Sequence, residues 1–484
     1  MRLRNPIRQF KSFLDTATVE NAFYLDGAVP LSRALPLGLQ HMLSMFMSNV
    51  TPALICMAII GLDSPLALSV IQSSIFMAAL GTAIQCFPIF RLGGKLPLVM
   101  GTSFTFMGAV TMIGSSYGLS TAFISLIIGG VIIGFLGLFA AKWHRFIRPI
   151  VSSMVVIGLG LSLLSVGIND FFAIDAPGVV VDGQYAIQNA WPYLIVATIT
   201  LLSSFFWQVF VKGMWRNISV LVGLVVGYLT ALCFMGYNQM VDFSVFSFNS
   251  IRDVIDLPRP FFLFIDVSIG DINFGAILAI VIMYLVSTTE CIGAVESLTA
   301  GSFDRAPTPR EISGAVTAYG FVSAFAGLFG AQPLTGYSQN VGIVNQTKVV
   351  NRFVVFQTAV ILFAASLFPP VARFFQTIPQ PVLGGTMILL FASIVISGVQ
   401  MFARAGFTRK NIMIASFAIG IGYTATLVPA LQNIQTEIVW IQYLLLLIRN
   451  PMVNMFLISF VLSYAIPEEK EPALDESSKP ENKD

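Results

Sequence analysis

Apolar stretches long enough to cross a hydrocarbon layer recur along almost the whole chain, and they fix the class of fold before any single residue is weighed. The runs cover approximately 36–60, 65–87, 96–114, 119–141, 147–168, 190–211, 217–238, 274–299, 312–330, 332–349, 353–375, 380–402, 411–430 and 440–466. Hydrocarbon offers no hydrogen bonds, so a spanning backbone must pair its own N–H and C=O groups, as a helix does. The expected fold is an all-α polytopic membrane protein with 14 transmembrane segments. Composition agrees, since only 10% of the 484 residues are charged, against about 25% in a soluble domain. Cys56, Cys86, Cys233 and Cys291 lie in apolar runs without paired spacing, and read as small core residues instead of a disulfide or metal framework.

Charge placement tests the count. With a cytoplasmic N-terminus, the inner loops hold Arg91/Lys95, Lys142/Arg145/Arg148, Lys212/Arg216, Arg305/Arg310, Lys348/Arg352 and Arg404/Arg409/Lys410. The outer loops keep only Arg252, Arg259 and Arg373 of the 26 Lys and Arg, while Arg449 falls inside the last run, to snorkel or pair. The long connections 169–189 and 239–273 carry eight aspartates and fall outside. An even count with both termini cytoplasmic satisfies the positive-inside bias at every loop. Met1-Arg2-Leu3-Arg4 leads into a polar amphipathic stretch, so no cleavable signal peptide is expected. The Glu/Lys/Ser/Pro-rich residues 467–484 read as a disordered cytoplasmic tail. The aromatic pieces of 239–273 suggest interfacial or re-entrant structure.

Two of the runs cannot be regular helices. Residues 95–105 carry Pro97 and Gly101, and residues 331–340 carry Pro333 and Gly336. They are the third and tenth runs, so each is the third element of a seven-span unit. An odd number of spans per unit places the two copies in opposite orientation, giving 7+7 inverted repeats with short extended breaks in segments 3 and 10. Irregular backbone at membrane depth is tolerated only where protein buries it or water reaches it, and such breaks point to a transporter's solute site. The half-helices leaving them would aim their N-terminal dipoles and free N–H groups at the solute. Gln339–Lys348 adds five polar side chains, a glycine and a cation to the same place.

Charges within the runs are costly and call for an explanation. Glu290, near the centre of the eighth run, suits a hydrogen-bond acceptor for a solute N–H or a proton carrier, or else ties two helices together. Glu296, six residues on, reads as structural. Gln339 offers a carbonyl acceptor beside an NH2 donor, a complement to a C=O/N–H edge such as the imide of a uracil, xanthine or urate ring. Asn340 either does the same or clamps the break. His41, with Gln40 beside it, is a packing residue or part of a polar network, and His144 is a solvated loop residue. Phe104 and Phe106 follow the first break, where one could stack on a planar ring or both could simply pack. Gly129-Gly130, Gly158-Leu159-Gly160 and Gly384-Gly385 read as close helix contacts. No nucleophile, metal or phosphate-loop constellation is present, so no enzyme, cofactor, metal or nucleic-acid partner is expected.

Five motifs, in order over roughly residues 35–465, resemble those of the nucleobase–ascorbate transporters, the second type of nucleobase:cation symporter. Gln339-Asn340-x-Gly342-x4-Thr347-Lys348 is similar to the family's signature. Gln40-His41, Gly101-Thr102-Ser103-Phe104, Glu290, and Ile378-Pro379-Gln380-Pro381-Val382-Leu383-Gly384-Gly385 match the others. The resemblance implies a core domain from 36–141 and 274–377, a gate domain from 142–273 and 378–466, and a cytoplasmic 1–35 segment. It also implies a homodimer in the lipid bilayer and an elevator-like movement of core past gate. Glu290, Gln339, Phe104, Asn340 and Ser103 would bind the nucleobase, and Glu290, His41 and Gln40 would form the coupling network. Gly342, Thr347 and Lys348 would be structural. Gln339 at the head of the signature favours the xanthine and uric acid permease branch, with uracil and other bases open. Proton symport is the default coupling, with sodium coupling or facilitated diffusion open. Many relatives carry an ionisable group where this chain has Ala294 and Tyr319. An anion carrier of the sulfate-carrier type and a ligand-binding receptor are the competing readings. Short loops fit a bacterial inner membrane.

Overall fold

The computed structural model describes residues 16–60, 65–143, 146–176, 178–181, 184–234, 240–241, 243, 253–428, 434, 441, 445 and 448–467. His144 and the 468–484 part of the tail lie outside them, as does most of 239–252. The helices used below are α1 (Leu31–Ile60), α2 (Pro65–Cys86), α3 (Met107–Tyr117), α4 (Leu119–Gly137), α5 (Pro149–Phe171), α6 (Ile187–Phe210) and α7 (Ser219–Cys233). They continue with α8 (Phe274–Phe303), α9 (Pro309–Leu328), α10 (Ser338–Thr347), α11 (Arg352–Ser366), α12 (Pro369–Gln376), α13 (Gln380–Ala405), α14 (Arg409–Phe417) and α15 (Pro451–Ala465). Among the described residues six helices (α2, α4, α5, α6, α8 and α13) are long and apolar enough to cross a membrane. A seventh crossing results if α11 and α12, bent by 80° at their junction, are taken as one. This is a multi-pass membrane protein.

Local sequence sets the helix ends. Thr308 and Glu311 form a reciprocal capping box at the start of α9, and Arg305 clamps the Glu311 carboxylate through two nitrogens at 2.8 and 2.6 Å. Asn351 and Asn450 cap α11 and α15 through their side-chain oxygens. Gly330, at φ +71°, ends α9 in a left-handed turn that an L side chain resists, and Ala331 N–H returns to the Ala326 carbonyl at 3.0 Å.

Small residues let the helices touch. A Cβ on Gly130 would lie 2.6 Å from Ala324 N of α9, and one on Gly129 would lie 2.8 Å from the Tyr284 ring of α8. Gly158 faces Met455 of α15, Gly160 faces Val395 of α13, and Gly384 faces the Phe171 backbone of α5. Thus α4 packs on α8 and α9, α1 and α2 on α11, and α13 on both α5 and α6. Three of the four cysteines are buried as expected, but Cys233 is exposed at the end of α7, where its thiol donates to the Leu229 carbonyl at 3.6 Å.

The described part of the 239–273 connection lies over helix ends. Gln72 of α2 donates to the Asp256 and Ser366 carbonyls, both at 2.7 Å. Ser69 bonds the Arg259 carbonyl, and Phe261 is buried against Phe123 at 5.0 Å. Arg373, in α12, pairs with Asp253 at 2.6 Å. Arg449 donates to the Ile434 carbonyl at 2.6 Å.

Candidate functional site

The two irregular segments find their backbone partners in each other. Met100–Thr102 (β1) and Leu334–Gly336 (β2) pair antiparallel, with Met100 opposite Gly336, Gly101 opposite Thr335 and Thr102 opposite Leu334. A two-stranded ladder of three residues leaves outward-facing groups unpaired, and side chains of three surrounding helices take them up. Met100 N–H donates to Thr82 Oγ1 at 3.0 Å, Thr102 N–H to Asn49 Oδ1 at 2.9 Å, and Leu334 N–H to Ser323 Oγ at 2.9 Å. Ser103 N–H and Tyr337 N–H close the ends on the Pro333 and Val99 carbonyls. The irregular backbone is therefore satisfied by buried protein groups, as a low-dielectric setting demands. Because the strands run antiparallel, α3 and α10 leave from opposite ends of the ladder. Three residues span roughly 7 Å, so both helix starts belong to one small locus.

Around that locus the side chains form two clusters. Glu290, half-buried on α8, accepts from Thr105 Oγ1 at 2.6 Å on one carboxylate oxygen and from Ser287 Oγ at 3.3 Å on the other. The Ser103 and Thr335 hydroxyls lie beside it. Phe104, next to Ser103, is buried and meets Phe391 edge to face at 5.3 Å. In the second cluster Gln339 Nε2 donates to Ser48 Oγ at 3.1 Å. Asn340 Nδ2 donates to the His41 carbonyl at 2.9 Å and lies 3.2 Å from His41 Nδ1. Gln40 is buried, and neither of its amide atoms has a hydrogen-bond partner among the described residues.

The sequence-derived candidates therefore separate. Glu290, Ser103 and Phe104 come together at one cluster, and Gln339, Asn340 and His41 at the other. Of the two uses open to Asn340, this geometry favours the clamp, since its NH2 holds α10 to α1. Phe106 is fully buried against Tyr284 at 4.6 Å and serves packing. Glu296 is exposed.

The permease family matches residues 32–431. The chain belongs to the nucleobase–ascorbate transporter family. It is 31% identical over 402 residues to the xanthine permease of Bacillus subtilis, covering 82% of this chain and 86% of that one. It is 32% identical over 397 residues to the uric acid permease PucK of the same organism, covering 82% and 87%. To the xanthine permease XanQ of Escherichia coli it is 30% identical over 467 residues, covering 92% and 93%. The fold is similar to the transmembrane domain of the cyanobacterium bicarbonate transporter BicA, with a TM-score of 0.55 at 14% identity over 89% of this chain and 97% of that one. It is also similar to the murine anion transporter Slc26a9, with a TM-score of 0.52 at 13% identity over 96% and 73%. The protein is thus a membrane permease and not an enzyme.

Within this family's signature the last two residues have a structural part here. Thr347 bonds the Ile343 carbonyl at 2.8 Å, and Lys348, left-handed at φ +58°, stops α10. Its ammonium donates to the Gly301 carbonyl of α8 at 2.6 Å. Asn345 packs against the same turn and accepts from Ser302 Oγ at 2.5 Å. Gly342 faces open space. At the two positions where this chain departs from many nucleobase–ascorbate transporters, Ala294 packs on Gly336 of β2, and Tyr319 is buried with its ring 5.8 Å from Tyr284. Thr105, Ser287, Ser48 and Phe391 were not among the sequence-derived candidates. Ser287, three residues before Glu290, shares its helix face and could have been found by spacing.

Proposed function

We propose that this permease carries a purine nucleobase, with xanthine or uric acid favoured, across a bacterial inner membrane as a secondary transporter. The carrying observation is the Glu290 carboxylate, half-buried in a spanning helix and held by two hydroxyls beside Phe104 and the strand pair. A carboxylate so placed accepts N–H donors of a planar ring, and Phe104 supplies an aromatic neighbour for its face. Gln339, with Nε2 turned to Ser48, would present its amide edge to the ring's C=O/N–H edge. The relatives named as xanthine and uric acid permeases support this substrate class.

The fourteen apolar runs, the antiparallel meeting of the third and tenth, and the loop charges support 14 crossings in a 7+7 inverted repeat with both termini inside. On this reading residues 36–141 and 274–377 form the core and 142–273 and 378–466 the gate. The core moves past the gate in an elevator-like motion, and the protein works as a homodimer. Glu290 would exchange the coupling proton, with His41 and Gln40 in the adjoining network. The fold is shared with anion transporters, but no cation stands beside the Glu290 carboxylate among the described residues, so an anion site is not favoured there.

The test is uptake of radiolabelled xanthine, uric acid, uracil and guanine in cells lacking their own carriers, with and without a protonophore. Saturable xanthine or uric acid uptake that collapses with the protonophore is expected. Glu290→Gln and Gln339→Ala should each reduce it at least tenfold at equal membrane abundance, about 1.4 kcal/mol or more of lost interaction. Uptake that survives the protonophore would remove the proton. Normal uptake in both variants would sink the site assignment, and no uptake of any base would sink the substrate class.

A further inference from the structure

The half-helix that carries Gln339 is fastened at both ends, and to different helices. Its first turn lies on α1, where Gln339 meets Ser48 and Asn340 meets His41. Its last turn lies on α8. There Asn345 Nδ2 donates to the Ser297 carbonyl at 3.2 Å, its Oδ1 accepts from Ser302 Oγ at 2.5 Å, and Lys348 Nζ donates to the Gly301 carbonyl at 2.6 Å. A Cβ on Gly301 would stand 2.4–2.6 Å from the Asn345 amide and push it out of place. Nearer the strand pair, Ala294 packs on Gly336 and Glu290 lies beside Thr335. Glu290, Ala294, Ser297 and Gly301 are four, three and four residues apart, which is one stripe of a helix. That stripe follows the chain from Thr335 to Lys348. The place of Gln339 relative to Glu290 is therefore fixed by how far along α8 the half-helix is held, and Asn345 holds it there.

We propose that Asn345 is a positioning residue, which sets the spacing between the Glu290 carboxylate and the Gln339 amide and through it the width of ring that the site accepts. This rests on the nucleobase reading above. Residue 345 is one of the four that the family signature leaves open between Gly342 and Thr347. An amide suits the task because it donates and accepts at once, and so holds α10 to two points of α8. The bonds of Asn345 go to neither cluster of the site. Its removal therefore leaves Glu290 with Thr105 and Ser287, and Gln339 with Ser48, while freeing one cluster from the other. Uric acid carries one C=O more than xanthine on the purine edge, and a fixed span between acceptor and amide tells two rings of unequal width apart. A residue that merely stitched α10 to α8 would act on stability alone.

The experiment measures KM and Vmax for xanthine and for uric acid uptake, and the thermal stability of the detergent-purified protein. It compares the unmutated chain with Asn345→Ala, Ser302→Ala, Gly301→Ala and the Gly301→Ala/Asn345→Ala double variant. Asn345→Ala is expected to raise the KM of the better base about three- to tenfold, the size of one lost hydrogen bond, and to bring the two KM values closer together. Gly301→Ala displaces the same amide and should reproduce both effects. In the double variant it should add nothing, because Asn345→Ala has already removed what it displaces. Ser302→Ala takes away a single donor, and it decides the matter if the other variants do not reach the membrane. If the two KM values keep their ratio while the melting temperature falls, the proposal is overturned and Asn345 is a structural stitch. If the unmutated chain takes up no base at all, the nucleobase reading fails and takes this inference with it. Normal uptake with an unchanged ratio sinks only the positioning role.

Discussion

Replacing Gly101 by alanine probes the strand pair with one carbon atom. A Cβ at residue 101 would lie 2.6 and 2.7 Å from the Tyr337 ring and 2.9 Å from Asn49 Oδ1. These are short of ordinary contact by about 0.8 Å. Neither neighbour can step aside freely. The Tyr337 hydroxyl donates to the Thr102 carbonyl at 2.8 Å and its N–H to Val99 at 3.0 Å. Asn49 Oδ1 accepts from Thr102 N–H at 2.9 Å, and its NH2 donates to Ser74 at 3.1 Å. The methyl must therefore push the ladder itself, and overpacking of this kind costs about 1–3 kcal/mol. Thr105 follows three residues after the strand, so the same shift disturbs its 2.6 Å bond to Glu290, a charge-assisted contact worth about 1.5–3 kcal/mol. With tenfold per 1.4 kcal/mol, xanthine binding to the purified protein should weaken about 10- to 100-fold. Calorimetry or ligand-induced thermal shift reads this directly. The double variant Gly101→Ala/Tyr337→Leu frees the space and should bind better than the two single effects predict, with a coupling of about 1 kcal/mol. Unchanged binding in Gly101→Ala, or strict additivity in the double variant, would refute the claim that the ladder is locked by this contact.

Two further expectations concern the segment that leads into α1. Asp26 feels partial burial, which raises a carboxyl pKa, but its bond to Arg352 and the Lys95 ammonium at 3.6 Å outweigh it and hold the group below 3.8. A depressed carboxyl contributes stability above its unfolded pKa and loses it as pH falls through the folded one, so the contribution is fully present above about pH 4. Amide exchange of residues 20–29, corrected for intrinsic rates, should therefore speed up as the pH falls below about 4, and Asp26→Asn should abolish this step. Asn351 holds the same segment, its NH2 serving the carbonyls of Asn21, Tyr24 and Gly27 at 2.8, 3.1 and 3.1 Å while its oxygen caps α11. Asn351→Ala should lower the melting temperature by about 1–2 °C, the effect of roughly 1–2 kcal/mol in a chain of 484 residues. Asn351→Asp keeps the cap and should lose less, and equal losses would show that the cap contributes nothing.

How much of the site the sequence discloses depends on whether its partners are near along the chain. Pro97, Gly101, Pro333 and Gly336 mark both irregular segments, because a helix cannot absorb them cheaply and hydrocarbon cannot solvate the result. That these segments would pair residue for residue was not readable, since the register is set by Thr82, Asn49 and Ser323, which reach in from three other helices. The same limit explains Glu290: its Ser287 partner is one helical turn away, whereas Thr105 is 185 residues distant. Adjacency along the chain does not carry over to a shared partner, because consecutive residues on a helix point about 100° apart. Asn340 meets His41, whereas Gln339 meets Ser48, seven residues further along α1. A spacing of seven is two turns, so His41 and Ser48 share one stripe of α1, and the start of α10 straddles that stripe with two neighbouring amides. One amide is thereby committed to holding the half-helix in place. The other is oriented by a hydroxyl, and an oriented amide, unlike a free one, can distinguish an N–H from a C=O on the edge of a ring.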